Sequence, residues 1–137
     1  MSLELRDGQE LPELVKHPTT RQLVQYAGAS GDFYEIHYDQ EYARSTGLPD
    51  VILHGLLKAA FLAQLITSSL GSDAVLRSFE VSYRGIDLPR RPCRCRGLVT
   101  EVKSGLATLE IWTEDPSGNR TTIGRATAEL PREAGGA

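Results

Sequence analysis

A chain of 137 residues, 40% of them hydrophobic and with a net charge of −3, has the size and composition of one domain built round an ordinary core. Its basic residues are scattered rather than gathered in a tract, which argues against a nucleic-acid footprint, and no apolar run approaches the roughly 20 residues of a membrane span. The start, M-S-L-E-L-R-D-G, lacks the basic and apolar regions of a secretory signal, and Cys93 and Cys95 are too close in sequence for a disulfide. Reduced thiols and a cytoplasmic setting are the expectation.

Residues 1–18 read as an extended N-terminal arm, with Leu3, Leu5, Leu11 and Leu14 able to pack and an N-terminal strand expected to join the sheet. Thr19 and Thr20 are good N-caps for a helix over Arg21 to Ala29, whose apolar face is Leu23, Val24, Tyr26 and Ala27. Gly28, Ser30 and Gly31 break it. A short second helix follows over Tyr38 to Thr46, capped by Asp39 and ended by Gly47, with Tyr42 and Ala43 facing inward.

The longest helical stretch runs from His54 to Leu70 and is apolar nearly all round, the pattern of a buried helix. Lys58 is the exception, expected to reach solvent or a partner chain. Beyond it, Val75–Tyr83, Cys93–Val102, Leu106–Glu114 and Arg120–Leu130 are rich in β-branched and apolar residues, separated by turn signals such as Lys103-Ser104-Gly105 and Asp115-Pro116-Ser117-Gly118-Asn119. These predict antiparallel strands joined by hairpins. Pro131 to Ala137 reads as a frayed tail. One antiparallel sheet wrapped round a long buried central helix, an α+β arrangement in a single domain over 1–137, satisfies the whole pattern.

The stretch from Tyr26 to Gly55 carries the chemistry. Asp32 and His37 lie five residues apart at a helix end and loop, where a carboxylate and an imidazole can share one water molecule. Taken singly, Asp32 also fits a turn or cap and His37 a structural histidine. His17 reads as a surface residue. Arg84, Arg90, Arg91, Arg94 and Arg96 read as a solvated strand face, with attraction of a phosphate-bearing carrier as the alternative.

Tyr26-Ala27, Ser30-Gly31-Asp32, Ile36-His37, Asp39, Ala43, Gly47, Val51-Ile52-Leu53, His54-Gly55 and Leu57 resemble the MaoC-like, or (R)-specific enoyl hydratase, branch of the hot-dog fold. That family has the pattern Y-A-x-x-S-G-D-x-N-P-x-H-x-D followed by I-V-H-G-M-L. The matching core covers about residues 19–60. The chain departs from it with Tyr34-Glu35 where Asn-Pro is usual and with Leu56 for the methionine. The resemblance implies that Asp32 and His37 hold the water, and that the backbone N–H of Gly55, at a helix N-terminus, stabilises enolate charge on a thioester oxygen. Ser30, Gly31 and His54 would support the motif. Tyr34, where the chain departs from the family, reads as lining the acyl site or as filling a gap, and Glu35 as a surface or interface residue.

The implied activity is reversible hydration of a trans-2-enoyl thioester to an (R)-3-hydroxyacyl thioester, with the acyl chain on coenzyme A or acyl carrier protein. No metal or redox cofactor is implied. The resemblance also implies a dimer, of two identical chains or of related hot-dog subunits. The rivals are a non-catalytic acyl-binding partner subunit and a hot-dog thioesterase.

Overall fold

The structure, a computed structural model, describes residues 4–132. Leu3 and the stretch 133–137 of the expected tail lie outside the described residues. The elements are β1 (Leu14–Lys16), α1 (Thr20–Ser30), a 3₁₀ turn (Glu35–His37), α2 (Gln40–Ser45), α3 (Gly55–Leu70), β2 (Val75–Tyr83), β3 (Cys93–Lys103), β4 (Leu106–Glu114) and β5 (Arg120–Glu129).

The five strands form one antiparallel sheet in the order β1-β3-β4-β5-β2. Tight turns set β3 beside β4 and β4 beside β5, but the hairpin expected between β2 and β3 does not form: the connecting segment 84–92 is longer than a hairpin turn and is held to Lys58 and Leu53, and β2 lies at the far edge beside β5. The arm joins as expected: Leu11 N–H donates to the Gly97 carbonyl at 2.9 Å, Val99 N–H to Gln9 at 2.8 Å, and β1 then pairs with β3.

Helix α3 lies against the inner face of this sheet. Leu57, Phe61, Leu62, Leu65, Ile66 and Leu70 meet Val99 of β3, Ala107, Leu109 and Ile111 of β4, and Ala126 and Ala128 of β5. The small alanines of β5 leave room for the helix, and burial of the large aliphatic chains supplies the driving force, about 1.5–3 kcal/mol for each one fully removed from water. This is the sheet-round-helix wrap of the hot-dog fold.

Three expectations about facing are corrected. The α1 face is narrower than predicted: Leu23 and Ala27 are buried, but Val24 is exposed because nothing packs against that side of the helix. Tyr42 points outward, its ring set edge-on to Tyr34 rather than into the core. Helix α3 is not buried all round, since one sheet covers one side; Leu56, Ala60, Gln64 and Thr67 form an exposed stripe. At the sheet edge, β2 leaves Val75 and Tyr83 exposed and Leu76, Phe79 and Val81 half-buried.

Candidate active site

Helix α1 ends at Gly31, whose φ of 78° is left-handed, a conformation that costs glycine nothing; its N–H closes the helix on the Ala27 carbonyl at 2.9 Å. Ser30 reinforces the stop. Its hydroxyl donates to the Tyr26 carbonyl at 2.7 Å and accepts the Asp32 N–H at 3.2 Å. The Asp32 carboxylate accepts the Tyr34 N–H at 3.4 Å, so the chain folds back at once into the 3₁₀ turn that carries His37.

The His37 ring is buried, and its Nδ1 lies 2.8 Å from the Ile52 carbonyl oxygen. A carbonyl only accepts, so Nδ1 bears the hydrogen. In the neutral ring Nε2 therefore presents its lone pair, and it faces Asp32 Oδ2 at 3.7 Å. That separation is too long for a direct hydrogen bond and suits a water that bonds to both. The Asp32 side chain is partly open to solvent, which gives such a water access.

His54 closes the site from below. It is fully buried, stands at the N-cap position of α3 without a side-chain capping bond, and stacks on His37 with ring centroids 3.8 Å apart and planes 19° from parallel. Tyr26 meets it edge-on at 4.9 Å. Its Nε2–H donates to the Asp32 carbonyl at 3.2 Å, a direct tie between the loop and the start of α3. Its Nδ1 is buried without a partner among the described residues. Burial, and then the neighbouring His37, lower the His54 pKa below its ordinary value, against a smaller opposing pull from Asp32. Asp32, His37 and His54 together bring one ligand-type atom each within 4.8 Å of the others, a carboxylate and two imidazoles that a transition metal accepts.

Gly55 is the first residue of α3, and its N–H finds no backbone acceptor among the described residues. The need for glycine here has a cause that the sequence hides. A Cβ at this position would lie 2.9 Å from Cζ and 3.0 Å from both Cε atoms of Tyr83, whose ring lies over the glycine.

Tyr34 is half-exposed, with its ring edge-on to His37 at 6.3 Å and to Tyr42 at 6.1 Å. The Tyr34 phenol, by hydrogen bond and charge, raises the Tyr42 pKa. Phe33 and Tyr38 form a second edge-to-face pair beside it, and Glu35 is exposed. Three of the five arginines are engaged: Arg90 with Asp50 at 2.8 Å, and Arg94 and Arg96 with Glu13 at 2.6 and 2.7 Å.

Lys58 corrects the expectation that it reaches solvent. It is 2% exposed, because Nζ turns back to the Gly85 carbonyl at 2.9 Å and to Asp87 Oδ2 at 3.0 Å, itself buried. Asp87, Tyr83 and the Ile52 carbonyl are site components absent from the predicted set. Asp87 and Tyr83 lie outside the local motif, and Ile52, which stands within it, acts through a backbone carbonyl that no spacing rule marks.

Residues 7–113 match the family model described as MaoC like domain. The 3-oxo-4,17-pregnadiene-20-carboxyl-CoA hydratase beta subunit of Mycobacterium tuberculosis is 27% identical over 123 residues, covering 90% of this chain and 93% of that one. The fatty acid synthase beta subunit hexB of Dothistroma septosporum is 26% identical over 111 residues, so the match spans only 6% of that much longer protein. Among solved structures, R-hydratase PhaJ1 from Pseudomonas aeruginosa superposes with a TM-score of 0.88 at 23% identity, covering 95% of this chain and 84% of that one. The ChsH1-ChsH2 complex from Mycobacterium tuberculosis gives a TM-score of 0.84 at 22% identity, covering 91% of this chain and 98% of that one.

Proposed function

This chain belongs to the MaoC-like dehydratase family, and from that premise we propose that it is an (R)-specific enoyl-thioester hydratase acting on an acyl group carried by coenzyme A or acyl carrier protein. The observation that carries the reading is the His37–Asp32 geometry: Nδ1 held by the Ile52 carbonyl, and Nε2 free toward a carboxylate 3.7 Å away.

In this mechanism a water sits between Asp32 and His37. Asp32 accepts one of its hydrogens and aligns it, and His37 Nε2 takes a proton as the water oxygen bonds to C3 of the enoyl group. The C2–C3 π electrons shift toward the thioester, and its oxygen takes negative charge. The Gly55 N–H, at the positive end of α3, meets that charge. A proton returned from the pair to C2 completes the addition. Atoms and electrons balance with water alone as co-reactant, so the step needs no oxidant or reductant.

The partner in this reading is a second hot-dog chain. The open edge of β2 and the exposed stripe of α3 are surfaces that an edge-to-edge dimer covers. The M. tuberculosis relative, named as a beta subunit, favours a second form of the reading, in which the partner is a related and not an identical subunit. The test is a panel of trans-2-enoyl thioesters followed by loss of conjugated-enoyl absorbance, with chiral analysis of the product. An (R)-3-hydroxyacyl thioester supports the hydratase. A free acid replaces it with a thioesterase. No turnover by the isolated chain, restored by a co-purified partner, assigns it to a heteromer.

A further inference from the structure

The buried Lys58–Asp87 pair has no part in the mechanism above, yet it joins α3 to the segment before it, which fixes His37 and leads to Gly55. Lys58 sits one turn into α3, where side chains lean back toward the helix start. Its Nζ holds Asp87 and Gly85, which belong to the segment between β2 and β3. The Asp87 carbonyl in turn accepts the Leu53 N–H at 2.9 Å. Leu53 stands between Ile52, whose carbonyl fixes His37, and His54, which ties down Asp32 and precedes Gly55. The pair thus pins the segment 52–55 through the Asp87 carbonyl on the Leu53 N–H. Tyr83 completes the bracket, with its ring over Gly55 and its centroid 6.0 Å from Lys58 Nζ.

Stability alone does not account for such a pair. Desolvating two charges offsets much of their attraction, and apolar residues of similar volume are often as stabilising. What an ion pair adds is a directional bond that sets position. We infer that Lys58 and Asp87 are positioning residues for the hydration reaction: they fix the 52–55 segment so that the Ile52 carbonyl holds His37 in its Nδ1–H tautomer and the Gly55 N–H keeps its aim. The inference rests on the hydratase reading for its catalytic consequence, but not for its effect on His37.

The test separates position from stability. Lys58→Met and Asp87→Asn, each leaving one charge or dipole unpaired, lower Tm by about 10 °C. Lys58→Met with Asp87→Leu removes both charges, and Gly85 is exposed enough for water to replace the lost bond. This double variant regains most of the Tm, but kcat stays down on the order of tenfold with KM little changed. Its imidazole ¹⁵N spectrum shows His37 as a tautomer mixture, where the unsubstituted protein shows Nδ1–H alone. A double variant with unaltered kcat and a single tautomer overturns the proposal. If it does not fold, the single variant Lys58→Met, which removes the cation that holds Asp87, serves: a single unchanged tautomer and kcat there overturn the proposal equally. If the unsubstituted protein hydrates no enoyl thioester, the hydratase reading fails, while the ¹⁵N spectra still decide whether the pair holds His37.

Discussion

Gly55→Ala is the sharpest probe of the helix start, because two explanations of the glycine make opposite predictions for one pair of variants. The added Cβ would sit 2.9 Å from Tyr83 Cζ and 3.0 Å from both Cε atoms. Carbon atoms at rest are about 3.5–4.0 Å apart, so the ring or the helix start must give by about 0.6–1 Å. Tyr83 ends β2 and is 49% exposed, so the ring has room to tilt. Stability should therefore change little, within about 1 kcal/mol, as alanine's helix preference offsets the lost contact. Activity should suffer more. The part of the adjustment that falls on the helix start displaces the oxyanion donor, and a few tenths of an ångström there should cost about 10-fold in kcat/KM on an enoyl thioester.

The same substitution made in a Tyr83→Ala background identifies the cause. If the ring is what excludes the Cβ, the penalty for Gly55→Ala disappears there, a coupling of about 1.4 kcal/mol for each tenfold recovered. If the glycine instead admits the thioester, the penalty is the same in both backgrounds, and the packing explanation is refuted. Thermal unfolding by circular dichroism accompanies the kinetics, so that a folding defect is not mistaken for a catalytic one.

Asp32→Asn and His37→Ala should each lower kcat by about 100-fold or more, and the double variant should lose far less than the product of the two, since both act on one water; near-normal turnover by either single variant would falsify the pair. Tyr34→Asn should change the ratio of kcat/KM values across enoyl thioesters of different acyl groups, whereas Glu35→Pro should leave it alone, and an unchanged ratio for Tyr34→Asn reduces the tyrosine to packing. His54 has a folded-state pKa below its unfolded value of about 6.5, so its contribution to stability is complete above that pH and drains as pH falls below it. His54→Gln should accordingly flatten the acid limb of a stability–pH curve measured by denaturant titration, and an identical limb in both proteins refutes that assignment. Light scattering at micromolar concentration should give the mass of a dimer; an active monomer removes the proposed partner from the site.

The strand edges were legible because the chain breaks beside them are: β4 lies between the turn signals of two hairpins, and β2 begins after the Gly71 that ends α3, but the partner of β2 was not legible, since it pairs with β5 and not with its neighbour in sequence. The body of α3 was legible from its apolar run. Facing was harder where a helix is short or half-covered. Val24 and Tyr42 fit an inward pattern, but which arc of α1 or α2 is covered depends on the packing of distant elements. Lys58 failed for the same reason in sharper form, since its partner Asp87 lies 29 residues on and no local period joins them. Within the site, spacing placed Asp32 near His37 but said nothing of orientation. Orientation comes from backbone groups: the Ile52 carbonyl on His37, the Asp32 carbonyl on His54 and the Asp87 carbonyl on the Leu53 N–H. Every residue offers a carbonyl, and every residue but proline an N–H, so their use leaves no mark on side-chain identity. It leaves a mark on proline. Leu53→Pro removes the one donor that joins the 52–55 segment to Asp87, and should disturb His37 with no side chain of the catalytic pair touched.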